Sequence, residues 1–232
     1  MRYIEFAVTS NFSFLRGASH PEELMLQAAH VGLDGIGLCD RNSVAGVVRA
    51  HLIKREKELP LAYHPGAHLV FADGTPDILA YPRNRLGWGR LCRLLTRGNL
   101  RAKKGDCILH RADLIDHIDG LELIVMEAST RDPEPAGLRG KPQVDASSQE
   151  EEKSDAKPRL RLVASEKPGA HAIPLLSLLR EAAPDRVRLA VSMLYRGNDR
   201  SRLMQRARLA AQARLPLIAV NDALYHHPDR RE

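Results

Sequence analysis

The sequence predicts an α/β protein built on a mostly parallel sheet with helices outside it, as either a barrel or a doubly wound sheet. Three observations predict this. Short apolar runs alternate about seven times with longer stretches of helical periodicity. Several of those runs end in polar or charged residues, as strands do where they open into functional loops. At 232 residues, 44% hydrophobic and 28% charged, the chain is long enough to bury a full core, read here as one domain.

Each element has a local reason. Tyr3 to Val8 is a short strand that runs into the polar loop "TSNFSFLRG" (residues 9 to 17). Ser19 with Glu22 three residues later has the capping-box pattern. With Pro21 in the first turn it predicts a helix to about His30 carrying Leu24, Leu26 and Ala28. "GLDGIGLCD" (32 to 40) supplies an apolar strand ending at Asp40, and residues 44 to 58 a helix. Residues 61 to 71 and 77 to 81 are strands, and 86 to 98 is an amphipathic helix with Leu86, Leu91, Leu94 and Leu95 as core. "LELIVM" (121 to 126) is a buried strand. Residues 130 to 170 then lose all apolar periodicity, with five prolines and eight acids cancelling eight bases. Such a stretch predicts a flexible insertion within a 1–232 domain. A helix (173 to 183), a strand (187 to 194), a helix (200 to 214) and a last strand (215 to 222) follow. In the last helix Leu203, Ala207 and Ala210 are expected to face inward and the arginines outward.

Composition narrows the function classes. No run approaches the roughly 18 apolar residues of a membrane span, and the N-terminus has no signal-peptide pattern, so a cytosolic location is expected. Cys39, Cys92 and Cys107 are odd in number and lack C-x-x-C spacing, which predicts reduced thiols rather than a disulfide framework or zinc knuckle. Phosphate-binding glycine loops and the serine-hydrolase elbow are missing from the sequence.

Four stretches in order, "TSNFSFLRGASHPEEL" (9 to 24), "DRNSVAGVVRAH" (40 to 51), "LCRLLTRGNLRAKKG" (91 to 105) and "VNDALYHHPDRRE" (220 to 232), carry a resemblance. Together they resemble the N-terminal polymerase-and-histidinol-phosphatase (PHP) domain of bacterial error-prone DNA polymerases of the replicative alpha-subunit (C) family. The resemblance implies a distorted seven-stranded β/α barrel. Active superfamily members hold a metal cluster on histidines and carboxylates at the strand ends and use it to hydrolyse phosphoesters. The cations clamp phosphate oxygens and acidify a bound water.

Here the implied ligand positions are mostly occupied by other chemistry. The paired histidines of the first strand fall on Ala7 and Thr9, and an aspartate of the next loop falls on Arg16. The histidine after Asp40 falls on Arg41, a carboxylate falls on His68, and the last histidine falls on Leu224, leaving Asp222. No catalytic residue and no cofactor are therefore expected. Asp40, His68 and Asp222, with Glu5 nearby, are the residual candidates for one Zn or Mn. Asp40 is otherwise expected to pair with Arg41 or Arg16 or to cap the next helix. His226 and His227 read as solvated loop residues.

Residues 83 to 111 hold nine Lys or Arg against one acid, Asp106. Arg90, Arg93, Arg97, Arg101, Lys103 and Lys104 are the candidates for contact with nucleic acid or a partner. The resemblance implies the remainder of a polymerase chain, DNA, other mutagenesis proteins and the sliding clamp as partners. The expected function is that of a degenerate PHP domain in damage-tolerant DNA synthesis, acting as a structural module without polymerising residues of its own. The rivals are an active phosphoesterase with a rearranged site and a stand-alone DNA-binding module.

Overall fold

The computed structural model describes residues 3–127, 172–193, 195 and 197–230, so the insertion expected at about 130–170 lies outside the described residues. The elements are β1 (Ile4–Val8), α1 (Pro21–His30), β2 (Gly35–Arg41), α2 (Val47–Glu56), β3 (Ala62–Leu69) and β4 (Ile78–Pro82). They continue with α3 (Arg85–Arg101), α4 (Arg111–Asp116), β5 (Leu121–Val125), α5 (Ala172–Ala182), β6 (Val187–Val191), α6 (Asp199–Ala213) and β7 (Leu217–Ala219).

Strand order in the sheet follows chain order from β1 to β7. Neighbours pair in parallel except around β4, which runs antiparallel to both β3 and β5. The inversion follows from connection length. Only residues 70–77 separate β3 from β4, too few for the crossover that a parallel neighbour requires. The sheet curls until the segment after β7 returns to β1, where Val8 and Ala223 form a parallel bridge. The Ala223 N–H donates to the Ala7 carbonyl at 2.7 Å and the Thr9 N–H to the Ala223 carbonyl at 2.9 Å. The result is a distorted seven-stranded barrel, as the resemblance implies.

Side-chain alternation sorts the strands into an inner and an outer layer. Ala7, Cys39, Leu79, Tyr81, Ile124, Ala190 and Val220 fill the barrel. Val8, Ile36 and Leu38 face outward, packing on Leu24, Met25 and Ala28 of α1 and Ala50 of α2. The larger outer cluster joins β3–β6 to α3–α6 through residues such as Leu69, Leu91, Leu94, Leu123, Leu176 and Leu189. Tyr81 enters the interior because Gly66 has no side chain; a Cβ there would lie 2.5 Å from the tyrosine ring. Burial pushes the Cys39 thiol up to about 12, so it is inert packing rather than a nucleophile. No helix among the described residues is long and apolar enough to cross a membrane.

Several local expectations are corrected. The α1 N-cap is His20, whose N–H is bound by Glu23 at 2.8 Å, one residue later than the Ser19–Glu22 pattern. Proline's fixed φ and missing N–H place Pro21 at the first helical position, which sets the cap. Leu86 is 79% exposed, because it sits in the first turn of α3 before the helix reaches the core. Leu26 is exposed as well. In α6, Ala210 is buried, but Leu203 and Ala207 are exposed while Arg202 and Arg206 turn toward the strands. Arg206 donates to the carbonyls of Ala190 (2.9 Å) and Val125 (2.7 Å), near the ends of β6 and β5.

Candidate functional site

The C-terminal ends of the strands in this fold form the edge where chemistry is placed. There β1 carries a bulge: Glu5 pairs with Ile36 and Val8 with Leu38, so three steps on β1 match two on β2. Glu5 serves this irregularity. Its carboxylate, 3% exposed, accepts the Ala7 N–H at 2.8 Å, the Asn221 N–H at 2.9 Å and the Tyr3 hydroxyl at 2.6 Å. Burial raises its pKa and these donors oppose the rise. Glu5 thereby stitches the closing seam of the barrel and is not presented to a ligand.

Asp40 lies at the end of β2 and is 1% exposed. One carboxylate oxygen accepts the Ser10 N–H (2.9 Å), the Ser10 hydroxyl (2.9 Å) and the Ser13 hydroxyl (2.8 Å); the other lies 2.9 Å from the Ser10 hydroxyl. The Gly46 N–H at the start of α2 also binds it. The helix-cap expectation is thus met in kind, and two serines of the preceding loop bind the carboxylate as well. Ser10 and Ser13 stand three residues apart in a tight turn, which puts both hydroxyls on one side. Ser13 completes the arrangement by accepting the Arg41 N–H at 2.8 Å. Burial raises the Asp40 pKa against the lowering effect of its hydroxyl and amide donors.

The other residual candidates do not join Asp40. In the β2–β3 register Asp40 sits beside Ala67 and Arg41 beside His68, so the Asp40 and His68 side chains leave the sheet on opposite faces. His68, 5% exposed, binds Asp77 through Nε2 at 2.9 Å. Asp222 follows β7 in a left-handed conformation (φ 52°) within the closing turn. Among the described residues no three His, Cys, Asp or Glu side chains converge on a point where a cation could sit. The donor set does not fit the metal cluster that the PHP-like fold implies. Ala7 and Leu224 have no donor atom, and Arg16 and Arg41 carry positive charge.

The basic segment is also rearranged. Arg90 pairs with Asp119 (2.5 Å) and Arg97 with Asp116 (2.6 Å) and Asp113 (3.3 Å). Arg101 grips Asp113 through both guanidinium nitrogens, at 2.7 and 2.9 Å. Asp113, 4% exposed, also accepts the His110 N–H at 2.9 Å and so caps α4, a helix too short to show periodicity in the sequence. Arg93, Lys103 and Lys104 are exposed and make no ion pair among the described residues. His226, expected in solvent, meets the Ser19 hydroxyl twice: its ring Nδ1 lies 2.8 Å from the hydroxyl oxygen, and its backbone N–H donates to that oxygen at 2.9 Å. His227 is exposed, beside Asp229. Sequence reasoning missed Asp77, Asp113 and Arg206. A signal existed only for Asp113, three residues after His110 in a box-like spacing.

No family model matches the chain. The error-prone DNA polymerase of Sinorhizobium medicae (strain WSM419) is 45% identical over 229 residues, covering 99% of this chain and 17% of that protein. The chain spans 17–21% of the length of such curated relatives, the upper figure from Rhodopseudomonas palustris (strain HaA2). A crystal structure from Bifidobacterium adolescentis, assigned as a metal-dependent phosphoesterase, superposes with a TM-score of 0.59 at 15% identity, over 97% of this chain and 88% of that one. A two-domain protein from Bacteroides vulgatus, assigned a PHP-like metal-dependent phosphoesterase, gives 0.51 at 14% identity, over 96% of this chain and 52% of that one. The chain is homologous over 99% of its length to one portion of the error-prone DNA polymerases, and it folds like the PHP-type phosphoesterases.

Proposed function

We propose that the chain is a degenerate PHP domain of an error-prone DNA polymerase, serving that polymerase as a structural and interaction module. The observation that carries this reading is the state of Asp40. A carboxylate in an implied metal-ligand region is enclosed by Ser10, Ser13 and Gly46, which are hydrogen-bond donors and not cations. A phosphoesterase cluster needs several cations to clamp phosphate oxygens and activate water, and guanidinium groups at positions 16 and 41 oppose their binding. The parent protein would act in damage-tolerant DNA synthesis and repair as a cytoplasmic nucleotidyltransferase. Its polymerising residues lie outside this chain, and its partners include DNA, other mutagenesis proteins and the sliding clamp.

The rearranged-phosphoesterase alternative has less support, since Asp40 and His68 point to opposite faces of the sheet. The DNA-binding alternative rests on Arg93, Lys103 and Lys104, because Arg90, Arg97 and Arg101 are held in ion pairs. The test is hydrolysis of p-nitrophenyl phosphate and pyrophosphate with added Mn²⁺ or Zn²⁺. Rates are expected to stay at the no-enzyme background with either metal. Metal-dependent turnover that Asp222→Asn abolishes would overturn the reading.

A further inference from the structure

We propose that the loop between β1 and α1 is the surface through which this domain seats on the polymerase portion of the same polypeptide. This rests on the chain being part of an error-prone polymerase. The loop combines two properties that rarely meet in a free surface. Phe14 is 84% exposed and Leu15 77% exposed, yet Ser10 and Ser13 beside them are buried at 0% and 3%. Large apolar side chains are therefore held out in water by a backbone that is fixed from beneath.

The fixing is specific. The N–H groups of Arg16 and Gly17 both donate to the Ser13 carbonyl, at 3.0 and 3.1 Å, and Ser13 itself is bound to Asp40. Gly17 lies so close to Ser10 that a Cβ would come within 2.0 Å of the Ser10 carbonyl oxygen. Leu15 adopts φ 61°, a left-handed conformation that a branched apolar residue ordinarily avoids. A loop without a contact to make would relax this residue and fold its side chain down; here the geometry thrusts it outward. Phe12, 39% exposed, lies under the Arg49 guanidinium at 5.5 Å and so extends the patch toward α2.

The occupant follows from where the chain runs. About four-fifths of each relative lies outside the homologous region. The last described segment is pinned at this same edge. The Ala18 N–H donates to the Leu224 carbonyl at 2.8 Å, the His226 N–H binds Ser19, and Arg230 pairs with Glu23 at 2.9 Å. A polypeptide continuing past this segment leaves along the C-terminal end of the loop that carries Phe14 and Leu15 and the first turn of α1, where its effective concentration exceeds that of any separate molecule. Of the nearby charges, Arg230 pairs with Glu23 and Arg49 with Glu22 at 3.7 Å, while Arg16 makes no ion pair among the described residues. The complementary face is therefore an apolar pocket for Phe14 and Leu15 with an acceptor for Arg16 at its side.

The experiment exchanges this chain for its homologous region in the Sinorhizobium medicae polymerase. Hydroxyl-radical oxidation of Phe14 and Leu15 is then followed in that protein and in the 232-residue chain alone. Oxidation is expected to slow at least about threefold in the polymerase, as for residues at a packed interface core. Buried Met25, 1% exposed, reports folding in both. Equal rates in both proteins would overturn the proposal. So would protection in the isolated chain that grows with its concentration, which would make a second copy the occupant. Independently, Phe14→Ser with Leu15→Ser should leave the Tm of the isolated chain within about a degree and lower that of the exchanged polymerase. Equal shifts in the two proteins would also sink it. Metal-dependent hydrolysis by the chain would defeat the degenerate-domain reading without touching either result.

Discussion

Asp40→Ala is expected to lower the unfolding free energy by about 3 kcal/mol or more, read as a reduced urea midpoint at unchanged m. The carboxylate is the shared acceptor for the Ser10 amide, the Ser10 and Ser13 hydroxyls and the Gly46 amide. Removing it leaves two buried amides without a partner and frees the loop that covers them. Ser13→Ala should cost less, about 1 kcal/mol, since Ser10 still holds the carboxylate. The comparison bears on function. Side chains retained to bind a ligand commonly reduce stability, so removing one tends to raise it. If Asp40→Ala proved neutral or stabilising, the latch reading of Asp40 would fail and a ligand role would gain support.

Asp113→Ala should be the other large loss, about 2 kcal/mol at neutral pH, because one side chain both caps α4 and anchors it to α3. Screening of the exposed arginines keeps the figure modest. The pH dependence has a definite sign. Arg101 above all, then the His110 amide and Arg97, hold the Asp113 carboxyl well below its ordinary value near 3.8. Its stabilisation is complete above that ordinary value and is lost as pH falls below it through the depressed folded value. The gap between wild type and Asp113→Asn, measured by urea unfolding from pH 7 to pH 2, should close only below about pH 4. Glu5 and Asp40 act in the opposite sense. Burial raises both, so their charged forms oppose folding above the raised values, and that cost disappears as pH falls toward the ordinary carboxylate range. A gap that closed on going from pH 7 to 5 would contradict the Asp113 assignment.

Much of the fold was legible because strand and helix periodicities are local. β1, β2, β5 and β6, and helices α1, α3 and α5, lie where the apolar patterns put them. The inversion of β4, the six-residue α4 and the exposure of Leu86 were not legible. Each depends on what a segment meets in space and not on its own pattern. The same holds for α6, where Arg202 and Arg206 turn from the expected solvent face to Glu127 and the strand-end carbonyls.

The candidate site divides along the same line. The sequence by itself determined that Ala7 and Leu224 carry no donor atom and that Arg16 and Arg41 carry a positive charge, because these are properties of the residue wherever it sits. Only the tertiary structure decided what became of the carboxylates that remain. Asp40 meets Ser10 and Ser13 from 30 and 27 residues away, and the strand register turns it to the face opposite His68. A one-residue slip in that register would reverse the faces, so the arrangement follows from the packed barrel that fixes it.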